Sequence, residues 1–151
     1  MLEAGIIQQL RGIFSTLAHH ITFRATLATG RPENADLRAF LEDVAAVSDH
    51  IDCTFEEAQT QQSLFSILLD GQETGIRFRG IPNGHEFTSL LLAVLNADGQ
   101  GKNLPDEALR RRISSLKTPL NLRTYVSLTC TNCPEVVQAL NVMALINPGI
   151  S

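Results

Sequence analysis

The sequence predicts an α/β protein: a mixed central sheet flanked by helices, built once in full and begun a second time. Three observations carry this. Two short segments of apolar–polar alternation flank a stretch of helical spacing, the pattern of a β-α-β unit. Two more strand-like runs and a strongly apolar helix follow. A Gly- and Asn-rich break, "NADGQGKNLP", then interrupts the chain, and the pattern starts over.

Leu2, Ile6, Leu10, Ile13 and Leu17 recur at helical spacing, so residues 2–17 are expected to form an amphipathic helix. In "ITFRATL", Ile21, Phe23, Ala25 and Leu27 alternate with Thr22, Arg24 and Thr26, which predicts a strand. Leu37, Phe40, Leu41 and Val44 then mark a helix over 34–48, and Ile51, Cys53 and Phe55 a second strand parallel to the first. "SLFSILLD" suits a buried central strand, and Ile76 and Phe78, alternating with arginines, an edge strand. Phe87, Leu90, Leu91, Val94 and Leu95 define the closing helix. This element order is that of the thioredoxin fold, giving a complete first repeat over 1–100.

Residues 101–151 are expected to open a second repeat. "DEALRRRISSL" reads as a helix, "LRTYVSL" alternates as "ITFRATL" does, and a helix with Val136, Leu140, Met143 and Ala144 follows, its first three matching the phase of Leu37, Leu41 and Val44. The chain stops at "NPGIS" after only the opening β-α, as a fragment would.

Composition narrows the function. A net charge of −4 gives no electrostatic reason to bind nucleic acid or an anionic membrane. Three cysteines make no disulfide framework, and the N-terminus lacks the basic leader and apolar core of a signal peptide, so a reducing, cytoplasmic setting is expected. The longest apolar run, residues 90–95, is too short to span a bilayer.

The chemistry concentrates in "TCTNCPEVVQALNVM". Cys130 and Cys133 form a C-x-x-C at a strand-to-helix junction, where unpaired N–H groups and the helix dipole favour negative charge. Cys130 is the expected nucleophile and Cys133 the resolving thiol; Pro134 is tolerated in the first helical turn. Zinc would require further ligands, and no second knuckle stands among His19, His20, His50 and His85. Inert packing is the other bland account. The βαβ context favours a redox dithiol. Cys53, on the apolar face of its strand, is expected to pack.

"GHEFTSLLLAVLN" and "TYVSLTCTNCPEVVQALNVMALINP" resemble the N-terminal domain of the flavoprotein component of alkyl hydroperoxide reductase, two tandem thioredoxin-like folds of which only the second holds a C-x-x-C. The resemblance implies that Cys130 and Cys133 take electrons from a thioredoxin-reductase-like flavoprotein portion, using FAD and NADH, and pass them to a peroxiredoxin. This chain holds no G-x-G-x-x-G, so both cofactors are expected elsewhere. The resemblance also gives Glu86 a role, as an acid managing protons beside the pair; otherwise it is a first-turn acid complementing a helix dipole. Thr131 stands where the family often has a basic residue or histidine, "ATGRPEN" has no cysteines, and "TQQSLFSI" lacks the usual proline. His85 is expected at the surface or as a cap, and Arg110–Arg112 as a solvated helix face. The rival reading is a non-catalytic scaffold or interaction module. An open sheet edge makes a homodimer a further expectation.

Overall fold

The alternation of "ITFRATL" becomes strand β1 (Ile21–Ala28), with Ile21, Phe23, Ala25 and Leu27 buried and Arg24 exposed. The computed structural model describes residues 2–151. Around β1 lie α1 (Ala4–Phe14), α2 (Asn34–Ala45), β2 (Ile51–Ala58), β3 (Leu64–Leu69) and β4 (Gln72–Arg79). A short 3-10 turn (Gly84–Glu86) then leads into α3 (Phe87–Ala97), followed by α4 (Glu107–Ser114) and α5 (Cys133–Ile146). Two units divide the chain: residues up to Glu73 with Arg77–Ile81, and Thr74–Ile76 with Pro82–Ser151.

The first unit holds the sheet, in the order β2-β1-β3-β4. β1 and β2 are parallel, as a β-α-β crossover requires; β3 runs antiparallel to β1, and β4 to β3. The two central strands carry Phe23 and Phe65, which with Phe14 of α1 are the largest fully buried side chains. Phe23 meets Phe65 edge-on at 5.6 Å, and Phe65 stacks on Phe78 at 5.4 Å. Leu37, Phe40, Leu41 and Val44 of α2 are all buried. On the polar face, Arg24 pairs with Glu73, and Thr26 donates to Glu56 at 3.2 Å. Of the stripe expected over 2–17, Leu10 and Leu17 are buried, Leu2 and Ile6 half-buried and Ile13 exposed; Phe14 is buried as well, and the helix itself ends at Phe14.

In the second unit α3 packs on α5, and α4 on the C-terminal part of α5. Asn147 ties α4 down: its Nδ2 donates to the carbonyls of Ile113 (2.8 Å) and Leu116 (3.0 Å), and its Oδ1 accepts from Gly149 N–H (2.9 Å). Ile113 is in the last turn of α4, whose final carbonyls a helix cannot satisfy internally, and Leu116 lies just past its end.

One expected element is absent. Residues 122–128 are not a strand; the bridge Leu120–Ile150, with Leu122 N–H on Ser151 O, is as far as ladder pairing goes. Alternation sets which side chains share a face, but a strand also needs a neighbour for its N–H and C=O groups. Among the described residues no strand lies alongside this segment, whose backbone hydrogen bonds are confined to its ends. Tyr125 is 88% exposed, and Val136, expected on the core face of α5, is 51% exposed. Of the other residues expected on that face, Ala144 is buried and Leu140 and Met143 are half-buried; Val142 is buried as well. Among the described residues no helix is long and apolar enough to cross a membrane.

Candidate functional site

A tight turn delivers the first cysteine. Cys130 N–H donates to Ser127 O at 3.0 Å, and the Ser127 and Thr129 hydroxyls lie 3.0 Å apart. Cys133 then opens α5, with Pro134 in its first turn, where no helical N–H is needed. Cys130 and Cys133 are joined as a disulfide, their Cα atoms 5.5 Å apart.

The N-cap residue of α5, Asn132, makes no side-chain cap. Instead Cys133 N–H donates to Cys130 Sγ at 3.2 Å. The sulfur therefore occupies the acceptor role that an N-cap oxygen fills elsewhere. With the disulfide reduced, the same N–H and the positive end of α5 favour a thiolate at Cys130. Both cysteines are half-buried, accessible enough for attack yet shielded on one side.

Glu86 lies in the 3-10 turn before α3 and is 3% exposed, and neither carboxylate oxygen has a hydrogen-bond partner among the described residues. A solvated first-turn acid would have been exposed. Two cross-links bracket this turn against the cysteine motif. On one flank His85 N–H donates to Leu128 O at 3.2 Å, two residues before Cys130. Gly84 sits there at φ +58°, and a Cβ on it would lie 2.9 Å from Leu128 O. On the other flank Gln138 Nε2, on α5, donates to Ser89 Oγ on α3 at 3.3 Å. The turn that carries Glu86 is thus fixed to the chain on both sides of the C-x-x-C.

Sequence reasoning singled out Cys130, Cys133 and Glu86 but missed Gly84, Ser89 and Gln138. Ser89 left one signal, a polar residue three after Glu86 on an otherwise apolar helix face. His85 and Arg110–Arg112 are exposed, and Thr131 at the mouth of the motif is exposed too. Cys53 is separate: it is free and half-buried on β2. Burial pushes its thiol above the usual range, Glu42 and Asp52 push in the same direction, and Arg38 opposes them.

Scanned against profiles of known protein families, the chain matches none. Individual proteins are more informative. The crystal structure of the NTD_N/C domain of the alkylhydroperoxide reductase AhpF from Enterococcus faecalis superposes with a TM-score of 0.88 at 32% identity, covering 100% of this chain and 78% of that one. The chain belongs to the family of the AhpF N-terminal domain. The alkyl hydroperoxide reductase protein AhpF of Staphylococcus epidermidis is 40% identical over 151 residues, all of this chain and 29% of that protein. A relative of the same name from Staphylococcus aureus is 35% identical over the same share. The chain thus spans less than a third of the length of these relatives. A protein disulfide oxidoreductase from Aeropyrum pernix, 14% identical with a TM-score of 0.81 over 100% of this chain and 75% of its own, shares the fold. That fold is thioredoxin-like.

Proposed function

We propose that this chain is a dithiol relay, taking two electrons from a flavoprotein reductase portion and delivering them to the disulfide of a peroxiredoxin. The observation that carries the reading is Cys130 Sγ held by the first N–H of α5, beside a second sulfur able to resolve a mixed disulfide. In the forward step the Cys130 thiolate attacks one sulfur of the peroxiredoxin disulfide. A Cys130–partner bond forms, the partner's S–S bond breaks, and its leaving thiolate takes a proton. Cys133, as thiolate, then attacks Cys130 Sγ; the intramolecular disulfide forms, the Cys130–partner bond breaks, and the second partner sulfur leaves as a thiolate that takes a proton. Glu86 is read as the group that accepts the Cys133 proton and returns one during re-reduction.

FAD and NADH have no place in this assignment. The strand-to-helix turn of the first unit, where an α/β fold would receive a dinucleotide, is filled by its own side chains. Asn34 Nδ2 donates to Ala28 O (2.8 Å), Ser63 Oγ to Asn34 Oδ1 (2.5 Å), and Ala28 N–H to Ser63 Oγ (2.8 Å). No step is therefore routed through either cofactor here. Residues 1–100 are read as a first thioredoxin-like repeat that supports but does not react, and 101–151 as the opening of the second. A reducing cytoplasm suits such a couple.

The exposed face of residues 122–128 favours a second reading, a scaffold or interaction module that does not cycle. Thiol-trapping mass spectrometry across a graded dithiothreitol series separates the two. A relay gives a reversible two-electron transition near the thioredoxin range, about −270 mV. Thiols that never pair leave the scaffold reading standing.

A further inference from the structure

The cations of this chain are gathered in one stretch. Residues 102–123 carry six Lys or Arg against two Asp or Glu, a net of +4, while the other 129 residues carry six against fourteen, a net of −8. Within that stretch Glu107, Arg110 and Arg111 of α4 fall at i, i+3 and i+4, on one helix face. They line a cleft of about 680 Å³ in the second unit, together with Leu104 before α4 and Val142 and Leu145 of α5. Arg111 Nε donates to Glu107 Oε1 at 3.3 Å, so those two charges answer each other. Arg110 pairs with no carboxylate among the described residues. An uncompensated guanidinium thus lines the same cleft as three aliphatic side chains.

That combination recognises a carboxylate standing next to an apolar group. The cleft is open to solvent: Leu104 is 38% exposed, and Arg110 and Arg111 are exposed. A site for a free small molecule encloses most of its ligand, which this one does not. The net charge of −4 disfavours an extended anionic surface. A short acidic segment meets the local patch alone, because exposed charges are screened beyond about 8 Å. We propose that the cleft between α4 and α5 docks an acidic amphipathic segment of a partner protein. An aliphatic side chain of that segment rests on Leu104, Val142 and Leu145, and a carboxylate pairs with Arg110. Val142 and Leu145 lie about 14–18 Å along α5 from Cys133. Docking is therefore separate from the dithiol and does not rest on the relay reading.

The test uses the 151-residue chain and a fluorescein-labelled peptide, Glu-Leu-Leu-Glu-Glu-Leu-Leu-Glu, read by anisotropy and by amide chemical shifts. The peptide should bind, with shifts confined to α4, the loop before it and the C-terminal half of α5. Arg110→Ala should weaken binding about two- to fivefold, the range of an exposed ion pair. Arg112→Ala removes the same charge from the same helix but from outside the cleft lining, and should leave binding unchanged. A peptide with serine in place of leucine should not bind; this arm leaves the protein unaltered and carries the test if a variant fails to fold.

Absence of binding would overturn the inference, as would equal losses from Arg110→Ala and Arg112→Ala or equal affinity for the serine peptide. Displacement of the probe by octanoate at comparable affinity would make the cleft a free-carboxylate site. Displacement by phosphatidylglycerol vesicles would make it a membrane patch, and either result overturns the docking of a protein segment.

Discussion

Gly84→Ala probes the contact that seats the Glu86 turn. The residue adopts φ +58°, and the added Cβ would stand 2.9 Å from the Leu128 carbonyl oxygen, a distance that forces the backbone apart. A side chain in the left-handed region costs roughly 1–2 kcal/mol. Displacing the turn also breaks His85 N–H···O=C Leu128 (3.2 Å), worth about 1 kcal/mol. Alanine restricts the unfolded chain relative to glycine, which returns about 0.4–1 kcal/mol. The net destabilisation is about 1–3 kcal/mol.

Gly99→Ala is the control. Gly99 lies in the same unit at φ +90°, with nothing within 4 Å of an added Cβ, so it bears the backbone strain without the collision. Urea denaturation followed by circular dichroism should place Gly84→Ala below Gly99→Ala by about 1 kcal/mol, the lost hydrogen bond. Amide exchange at His85 should accelerate in the first variant and not in the second. Equal stabilities with an unchanged His85 amide would refute the claim that close approach to Leu128 seats the Glu86 turn.

Three further outcomes are expected. Asn147→Ala removes two hydrogen bonds to the Ile113 and Leu116 carbonyls, at and just past the end of α4, and one acceptor from Gly149 N–H at a buried site, and should cost about 2 kcal/mol in the same urea assay. Asp70 accepts from His20 N–H, which holds its carboxyl below the usual range, with His19 Nδ1 adding to the effect. A lowered carboxyl contributes stability above its unfolded-state value and loses it as pH falls through the folded one. Asp70→Asn should therefore flatten the acid limb of a stability–pH curve and leave the neutral region nearly level. In site-resolved alkylation of the reduced chain near neutral pH, Cys53, whose thiol is pushed up by burial and two carboxylates, should react well after Cys130, and Cys53→Ser should leave the dithiol titration unchanged.

Local pattern made the first unit legible. Alternation at Ile21–Leu27 and helical spacing at Leu37–Val44 each name a face, and in this unit every named face has a partner layer: β1 and β3 at the centre, α2 against β1 and β2. Residues 122–128 show the same alternation, yet they form no strand. Pattern reports side-chain geometry, while a ladder depends on which backbone lies alongside, and that is a property of the rest of the fold. The candidate site divides in the same way. Cys130 and Cys133 are adjacent in sequence and declare themselves by spacing. Glu86 came only through family resemblance. Gly84 and Gln138 act across more than forty residues of chain, through a backbone carbonyl and an amide that no spacing rule marks.

The junctions that lead into α2 and α5 face the same physical problem and answer it differently. Each must find partners for the backbone groups exposed where extended chain turns into helix. Ahead of α2, Asn34 and Ser63 close the junction with Ala28 N–H and Ala28 O, and every short contact there is between protein groups already satisfied. Ahead of α5, the acceptor for the first helical N–H is a sulfur that can gain and lose a bond. The closed junction has no valence left for chemistry. The open one has the N–H aimed at Cys130 Sγ in the disulfide, so negative charge that develops there as the bond breaks meets a donor already in place. That difference, oxygen and amide in one turn and two sulfurs in the other, is what the proposed relay requires: one junction closed on itself, its counterpart with a bond that can be exchanged.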